Sequence, residues 1–249
     1  MDEAKGLAYG EGSEIQESCM TRSHRPSLSA LAVAAALTAG CAAAGATPLN
    51  NGFSGQNFLD TPLAGTTAAA RPELAGVVLA DVDTPFTLGD VTGFVQNRVV
   101  RENGTGTLDF YWRVQLDPGT AGSDGIDALR IGNFGYAYMT DADWRIDGTG
   151  TVPASTARLF NPAVHPAGDI NFLFGPDIQA GQSSGFFFLH TGATAFAETA
   201  FYDLVSSDDL LSGEFSTFAP AVPEPAPAAL LALGMLTLGW LRSRRGPAR

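Results

Sequence analysis

The side chains that could do chemistry in this chain are mostly carboxylates, with few bases or nucleophiles beside them. Residues 47–221 contain 20 acidic residues, and their histidines are His165 and His190. A hydrolytic Ser-His-Asp triad needs histidine as its base, and only these two histidines are available for that role in residues 47–221. A zinc site needs three or four His, Cys or carboxylate ligands, and two separate histidines without cysteine do not indicate one. The sequence therefore predicts no catalytic residues and no cofactor, with one exception.

The exception is calcium, which prefers clustered carboxylate and carbonyl oxygens. Asp81 and Asp83 form one small group, and two larger groups are the candidates for a metal site, namely Asp117, Asp124 and Asp127, and Asp141, Asp143 and Asp147. Their spacing does not match an EF-hand loop, in which glycine occupies the sixth position. Aspartate is also a preferred turn residue, so solvent-exposed turn aspartates are the alternative interpretation.

Carbohydrate chemistry is a second possibility that the residue types leave open. Glycosidases use paired carboxylates, but pairing is a three-dimensional property that sequence does not reveal. Exposed rings could form a platform for sugars, and the candidates are Tyr111, Tyr136, Tyr138 and Trp144. Packing in the core or across strands is the commoner use of aromatic residues in strands.

The elements that would position these residues are predicted to be β-strands. From Thr107 to Asp117 apolar residues alternate with polar ones and Tyr111, so one face should be buried and the other exposed to solvent. Residues 91–101 form a similar segment, and the sequence Glu102-Asn103-Gly104-Thr105-Gly106 between the two favours a tight turn. The two segments therefore predict a β-hairpin.

Further strands are predicted at 77–80, 128–138, 170–174, 184–191 and 200–205, separated by glycine, proline and aspartate. No sustained 3.6-residue period occurs between residues 47 and 221. Several short strands with turn residues between them indicate an all-β fold, an antiparallel β-sandwich of jelly-roll-like or Ig-like type over residues 47–211. Residues 212–221 are predicted to be a linker.

Charge and cysteine content narrow the classes of partner. The 20 acidic residues of 47–221 face seven arginines and no lysine, a net charge of −13. Nucleic acid is therefore not an expected partner, because phosphate binding needs a basic surface. Both cysteines, Cys19 and Cys41, lie outside this part, so the domain is predicted to have neither a disulfide nor a thiol nucleophile.

The N-terminal region has the pattern of a secretory signal peptide over residues 20–46. Arg22, His24 and Arg25 precede an apolar stretch at 28–44, and Ala44-Gly45-Ala46 offers a cleavage site with Ala44 and Ala46 at its small positions. The Sec translocon is the partner that such a signal implies.

The N-terminal region leaves two questions, which concern its first residue and its processing site. Residues 1–19 are acidic, which is unusual ahead of an export signal. We interpret them as the result of a start codon assigned too early, with Met20 as the true first residue. Leu37-Thr38-Ala39-Gly40-Cys41 is close to a lipoprotein box, so lipidation of Cys41 is the alternative to cleavage after Ala46.

The C-terminal region carries three features in order. Val222, Pro223, Glu224 and Pro225 come first, an uncharged apolar stretch comes next at 226–241, and Arg242, Arg244 and Arg245 come last. As a helix the stretch would be about 24 Å long, somewhat short of a hydrocarbon core of about 30 Å. Basic residues beside a span stay on the cytoplasmic side, so we predict a transmembrane helix with the bulk of the chain outside. A buried core helix is the alternative.

This tail resembles the PEP-CTERM sorting signal of Gram-negative bacteria that secrete exopolysaccharide. The resemblance covers the motif Val222–Pro225, the apolar stretch and the arginines, about a tenth of the chain, and implies nothing about the fold upstream. It implies that a membrane-embedded exosortase recognises the motif and removes the apolar stretch and the arginines. Such tails are also labelled an ice-binding protein C-terminal domain, a label that describes the tail and not an activity.

The sequence thus predicts an exported protein of the cell envelope, cell surface or biofilm matrix, transiently anchored in the inner membrane. Its expected role is structural or interactive and non-catalytic, in association with exopolysaccharide. The alternative is an extracellular carbohydrate-binding module or carbohydrate-active enzyme, assisted by calcium.

Overall fold

The computed structural model describes residues 46–119 and 124–221, together with the single residue Met235. The expectations for the start region 1–19, for the signal peptide up to residue 45, and for the sorting motif and basic residues lie outside the described residues, as does the span 226–241 apart from Met235. Among the described residues no helix is long and apolar enough to cross a membrane.

The described residues form an all-β fold of two antiparallel sheets, as the sequence predicts. The strands are β1 (Phe58–Pro62), β2 (Gly76–Leu88), β3 (Val91–Glu102), β4 (Leu108–Leu116), β5 (Ile126–Gly132), β6 (Asp141–Trp144), β7 (Ala154–Phe160), β8 (Ile170–Ile178), β9 (Phe187–His190), β10 (Phe196–Ser206) and β11 (Phe215–Pro220). One sheet has six strands in the order β1-β7-β8-β5-β10-β11, and the other has five in the order β2-β3-β4-β9-β6.

The predicted hairpin is confirmed in strands β3 and β4. Val95 pairs with Val114, and Arg101 pairs with Leu108 at the end nearest the turn. Leu108, Phe110, Trp112, Val114 and Leu116 are all buried, because alternate side chains of a strand point to the same face of the sheet.

The core contains large side chains from both sheets, which gives the fold a sandwich-like arrangement. Trp112 of β4 and Phe187 of β9 belong to the five-stranded sheet, and Phe172 of β8 belongs to the six-stranded sheet. The rings of Phe172 and Phe187 lie 4.7 Å apart, and those of Trp112 and Phe172 lie 6.3 Å apart. These contacts bury apolar surface from both sheets, which is the main stabilising contribution in a fold of this kind.

Two sequence predictions are corrected by the structure, and three further strands have no counterpart among the predicted ones. Residues 212–221 are not a linker, because β11 occupies 215–220 and pairs with β10. The segment 128–138 is not one strand, since β5 ends at Gly132 and Asn133 takes a positive φ of 61°. Strands β1, β6 and β7 were not predicted; β6 in particular is only Asp-Ala-Asp-Trp, and aspartate is depleted in strands.

The second face of β4 is also not fully solvent-exposed, in contrast to the expectation from alternation. A short 3-10 helix at Pro72–Leu74 lies beside it, and a second apolar cluster joins Leu74, Val100, Tyr111, Phe186 and Phe188. Tyr111 and Asp109 are therefore buried, whereas Asp117 at the far end of the hairpin is exposed. This cover creates a buried polar environment on the outer side of the five-stranded sheet.

Candidate functional site

Strand register brings three ionisable side chains together on that outer face. Asp109 of β4 pairs with His190 of β9, and His190 pairs in turn with Asp141 of β6. Directly paired residues on neighbouring strands have their side chains on the same face and within reach of one another. The Nδ1 atom of His190 lies 2.8 Å from Oδ1 of Asp109, and its Nε2 atom lies 4.0 Å from Oδ2 of Asp141.

A fourth side chain, Glu102, joins from the end of β3. Its Oε1 atom lies 3.1 Å from Nδ1 of His190. Its other oxygen, Oε2, accepts hydrogen bonds from the hydroxyls of Thr105 and Thr107, the second at 2.9 Å. The sequence analysis placed Glu102 in the hairpin turn; the structure instead buries it at the strand end, where the two threonines orient its carboxylate toward His190.

Arg71 completes what we call the carboxylate–histidine cluster, formed by Arg71, Glu102, Asp109, Asp141 and His190. Its guanidinium donates to Asp141 Oδ1 at 2.8 Å and to the half-exposed Glu73 at 2.9 Å, and it lies 5.6 Å from the centre of the Phe188 ring. The Arg71 side chain is 2% exposed. Buried charges of this kind are stable only when paired and hydrogen-bonded.

Two oxygens of the cluster are buried without a hydrogen-bond partner. They are Oε1 of Glu102 and Oδ2 of Asp109, whose side chains are both 0% exposed. Native proteins rarely leave buried carboxylate oxygens unsatisfied, so each such case calls for an explanation. The side chain of His190 is 24% exposed and gives the cluster its contact with solvent.

The electrostatics of the cluster favour proton uptake. Burial raises the pKa of Asp109 to about 6; the hydrogen bond from His190 acts against this, and the charges of Glu102 and Asp141 add to it. The hydrogen bond to Asp109 raises the pKa of His190, against the effect of burial. The two shifts have different main causes, which are burial for Asp109 and the hydrogen bond to Asp109 for His190, and the neighbouring carboxylate charges add to both.

Within the described residues, Glu102, Asp109 and His190 are the one group of three or more histidine, cysteine or acidic side chains whose ligand atoms all lie within 4.8 Å of one another. No aspartate predicted from sequence spacing belongs to it. Sequence reasoning missed the group because His190 lies 81 and 88 positions from Asp109 and Glu102 along the chain and is brought to them by strand pairing. The only indication of this group in the sequence is that polar residues occur at alternate positions of otherwise apolar strands.

The predicted set Asp141, Asp143 and Asp147 is divided among separate protein donors. Asp141 binds Arg71, while Asp143 accepts from the backbone amides of Gly65 at 2.8 Å and Trp144 at 2.9 Å. Asp147 accepts from the amide of Ala68 and from Arg145. Asp141 and Asp143 are buried in a strand, so the alternative of turn aspartates in solvent is wrong for both.

The other predicted set is not gathered as one group in the described residues. Asp117 accepts from the Thr92 hydroxyl at 2.9 Å. Burial raises the pKa of Asp127, and the nearby charges of Asp177 and Asp209 raise it further. Asp124 is partly buried, beside residues 120–123, which lie outside the described residues.

A second feature is a concavity of about 290 Å³ on the outer face of the six-stranded sheet, which we call the outer groove; it is lined in part by Arg130, Phe160, Asp169, Phe201, Asp203 and Glu214. Phe201 of β10 pairs directly with Gly132 of β5, and a Cβ atom on this glycine would lie 2.3 Å from the ring. The ring is 39% exposed. The absence of a side chain at Gly132 thus lets an aromatic ring lie flat on the sheet beside carboxylates.

Two carboxylates of the outer groove, Asp169 and Asp203, already have protein partners. Arg130 binds both oxygens of Asp203, and His165 lies 2.7 Å from Asp169 through Nδ1. The predicted sugar platform of Tyr111, Tyr136, Tyr138 and Trp144 is not the exposed aromatic surface: Tyr111 is buried and the other three are partly buried. Among the described residues the exposed aromatic rings are instead Phe58 and Phe201, at 42% and 39%.

A third feature, of about 380 Å³, lies on the outer face of the five-stranded sheet beside the carboxylate–histidine cluster. Phe186 lies at its base, with Arg98 4.6 Å and Arg113 5.4 Å from the ring centre. Arg98 and Arg145, which also line it, are paired with Asp81 and Asp147. Its arginines are therefore largely neutralised by neighbouring aspartates.

Comparison with protein-family models, with curated proteins and with solved structures gave no match for this chain.

Proposed function

We propose that this chain is an exported protein, sorted by an exosortase, whose domain acts at the cell surface or in an exopolysaccharide matrix by binding rather than catalysis. The observation that carries the proposal is the order of features in the sequence: a signal peptide at 20–46, one β domain, then Val222–Pro225, an apolar stretch and three arginines. A chain built this way crosses a membrane N-terminus first and stops at its C-terminal span.

The described fold supports this arrangement. Its last strand ends at Pro220, and the backbone amide of Ala221 donates to the carbonyl of Ala195 at 2.9 Å. The folded domain therefore extends to the residue before Val222, and the sorting motif comes after it without a spacer. An antiparallel β-sandwich of jelly-roll-like or Ig-like type is the architecture we propose for it.

A non-catalytic role is supported by the surroundings of the two histidines. His190 and His165 each contact a carboxylate through Nδ1. Within the described part of the chain, no serine or threonine hydroxyl hydrogen-bonds to either imidazole. A nucleophile–base pair of the triad type requires such a contact.

Processing of the exported chain tests the sorting proposal. In a host with an exosortase, we expect the intact mass of the surface form to lack the tail, and the double variant Pro223→Ala/Pro225→Ala to keep it and accumulate in the membrane. Pro227→Ala removes a proline outside the motif and is the matched control, which should be processed normally. Equal processing of the motif variant, or a wild-type chain that stays in the cytoplasm, would contradict the proposal.

The mass of the mature N-terminus distinguishes the alternatives at the other end. Cleavage after Ala46 gives a chain that begins at Thr47, whereas lipidation gives one that begins at a modified Cys41. Translation from Met20 or from Met1 is distinguished in the same experiment when the unprocessed precursor is captured.

The outer groove favours a second candidate function, a carbohydrate-binding module. Exposed rings beside hydrogen-bonding groups suit the apolar faces and hydroxyls of sugars, and the groove combines Phe201 with Asn171, Asp203 and Glu214. Affinity electrophoresis of the full chain against alginate and dextran tests it. We expect Phe201→Ala to weaken binding by about tenfold, roughly 1.4 kcal/mol, and Val77→Ala, at an exposed residue of the other sheet, to have no effect.

A further inference from the structure

We propose that Glu102, Asp109 and His190 form a binding site for one divalent transition-metal ion, with Zn²⁺ as the best match. The site lies at the end of the five-stranded sheet and is independent of the sorting signal and of the outer groove. No metal ligand was predicted at these three residues from sequence.

The ligand atoms have a suitable arrangement. Nδ1 of His190 lies 2.8 Å from Asp109 Oδ1 and 3.1 Å from Glu102 Oε1. Ligands of a tetrahedral Zn²⁺ ion at about 2.0–2.2 Å from the metal lie roughly 3.3–3.5 Å apart. An increase of about 0.2–0.7 Å in these two distances therefore converts the present contacts into a metal site, and a water molecule can supply a fourth ligand.

The unpartnered oxygens point to a ligand that is not a protein atom. Oε1 of Glu102 and Oδ2 of Asp109 are buried and have no hydrogen-bond partner. Thr105 and Thr107 occupy only the opposite oxygen of Glu102, so Oε1 is held toward His190. A cation bound to Oε1 of Glu102 would satisfy that oxygen, which hydrogen bonds from the protein do not.

Charge balance points in the same direction. With their formal charges, Glu102, Asp109 and Asp141 contribute three negative charges to the buried cluster, and Arg71 contributes one positive charge. The remainder of two negative charges equals the charge of one divalent ion bound to a neutral imidazole. Buried charges are costly unless they are compensated in this way.

The surroundings of His190 match those of a metal-binding histidine. Such a histidine donates its second ring N–H to a carboxylate, which sets the orientation of the ring. Nε2 of His190 faces Asp141 Oδ2 at 4.0 Å, beyond direct hydrogen-bond distance but with a carboxylate on the side where such a partner is needed, and Arg71 holds the other oxygen of Asp141 at 2.8 Å. The mixed nitrogen and oxygen ligands favour zinc over calcium, which takes six to eight oxygen ligands.

Equilibrium dialysis of the purified full chain against Zn²⁺, after treatment with a chelator, tests the proposal. We expect one tightly bound Zn²⁺ per chain, and affinity at least about 100-fold weaker in His190→Gln and Glu102→Gln, since even outer partners contribute 10–100-fold. His165→Gln removes the other histidine–carboxylate pair and is the matched control, with unchanged affinity. Ca²⁺ and Mg²⁺ should not displace Zn²⁺ at equal concentration.

Two further readouts make the result independent of variant folding. The thermal midpoint of the wild-type chain should rise with Zn²⁺ as expected for a ligand that binds only the folded state, and Co²⁺ should give a visible absorption band at one equivalent. Zn²⁺ binding that is equally lost in His165→Gln, binding that survives His190→Gln and Glu102→Gln, or a wild-type chain that binds no Zn²⁺, would each overturn the proposal.

Discussion

The indole Nε1 of Trp112 donates a hydrogen bond to the hydroxyl of Thr217 at 2.9 Å, and so connects the two sheets through the core. Thr217 in turn donates to Oδ1 of Asn97 at 2.9 Å, and all three residues are buried. Thr217 belongs to β11, so this polar chain depends on a segment that sequence composition alone presents as a linker.

Replacement of Thr217 by valine keeps the shape of the side chain and removes its hydroxyl. We expect the free energy of unfolding to fall by about 2–4 kcal/mol, because the indole N–H and the Asn97 oxygen are left buried without partners. Chemical denaturation of the full chain measures this. Ser216→Ala, at the adjacent exposed position, should change stability by less than about 0.5 kcal/mol; equal effects of the two substitutions would contradict the assigned contact.

Truncation distinguishes a strand from a linker at 212–221. A chain that ends at Ala221 should fold, with a cooperative unfolding transition, because it retains β11. A chain that ends at Leu211 loses β11 and exposes the edge of β10, so we expect it to be insoluble or to unfold without cooperativity. Circular dichroism and thermal melts of the two chains make the comparison, and equal stability would show that β11 contributes nothing to the fold.

Asp143 is expected to serve the fold rather than bind calcium. Its carboxylate accepts from the amides of Gly65 and Trp144, so Asp143→Ala should cost about 2–4 kcal/mol by leaving these donors unpaired. Asp143→Asn retains an accepting oxygen and should cost much less. Addition of Ca²⁺ should not change the thermal midpoint of either variant relative to wild type.

The same residue predicts a pH dependence of stability. Burial raises the pKa of Asp143 above its ordinary value, despite the hydrogen bonds that stabilise the carboxylate. A carboxyl group with a raised folded-state pKa contributes stability that is complete below the unfolded value of about 3.9 and is lost as pH rises through the folded value. Asp143→Asn should therefore flatten this part of the stability–pH curve, measured by denaturation in steps from pH 4 to pH 7; an unchanged curve would contradict the shift.

Arg71 and Asp141 are a buried pair, and removal of one charge should be costly. We expect Arg71→Met to lower the free energy of unfolding by about 3–5 kcal/mol, because Asp141 is left without its compensating charge. The control is Arg158→Met in the exposed pair with Asp60, which has side-chain exposures of 30% and 42% and should cost about 1 kcal/mol or less. Comparable losses in the two variants, in denaturation at the same ionic strength, would contradict the burial of the Arg71 pair.

The sequence determined the class of the fold and its central hairpin. Alternation from Leu108 to Leu116 and the glycine-containing turn before it are local properties, set by the period of two in a strand and by the positive φ of 75° at Gly106. The inward faces of β3 and β4 could be predicted from them. The short strands β6 and β11 could not, since four residues with two aspartates, or six that end in proline, acquire strand structure only from the neighbours they pair with.

The candidate metal site was decided by tertiary structure alone. Glu102 and Asp109 flank one hairpin turn, but His190 lies on β9, far away in sequence, and is brought to them by the pairing of β9 with β4. Their burial depends on a further segment, Arg71 to Leu74, that covers a face which alternation predicts to be exposed to solvent. A sequence pattern specifies which way a side chain points from its own strand. Long-range packing decides which segment lies above that strand, and this segment determines whether the side chain is buried and how its charge is compensated.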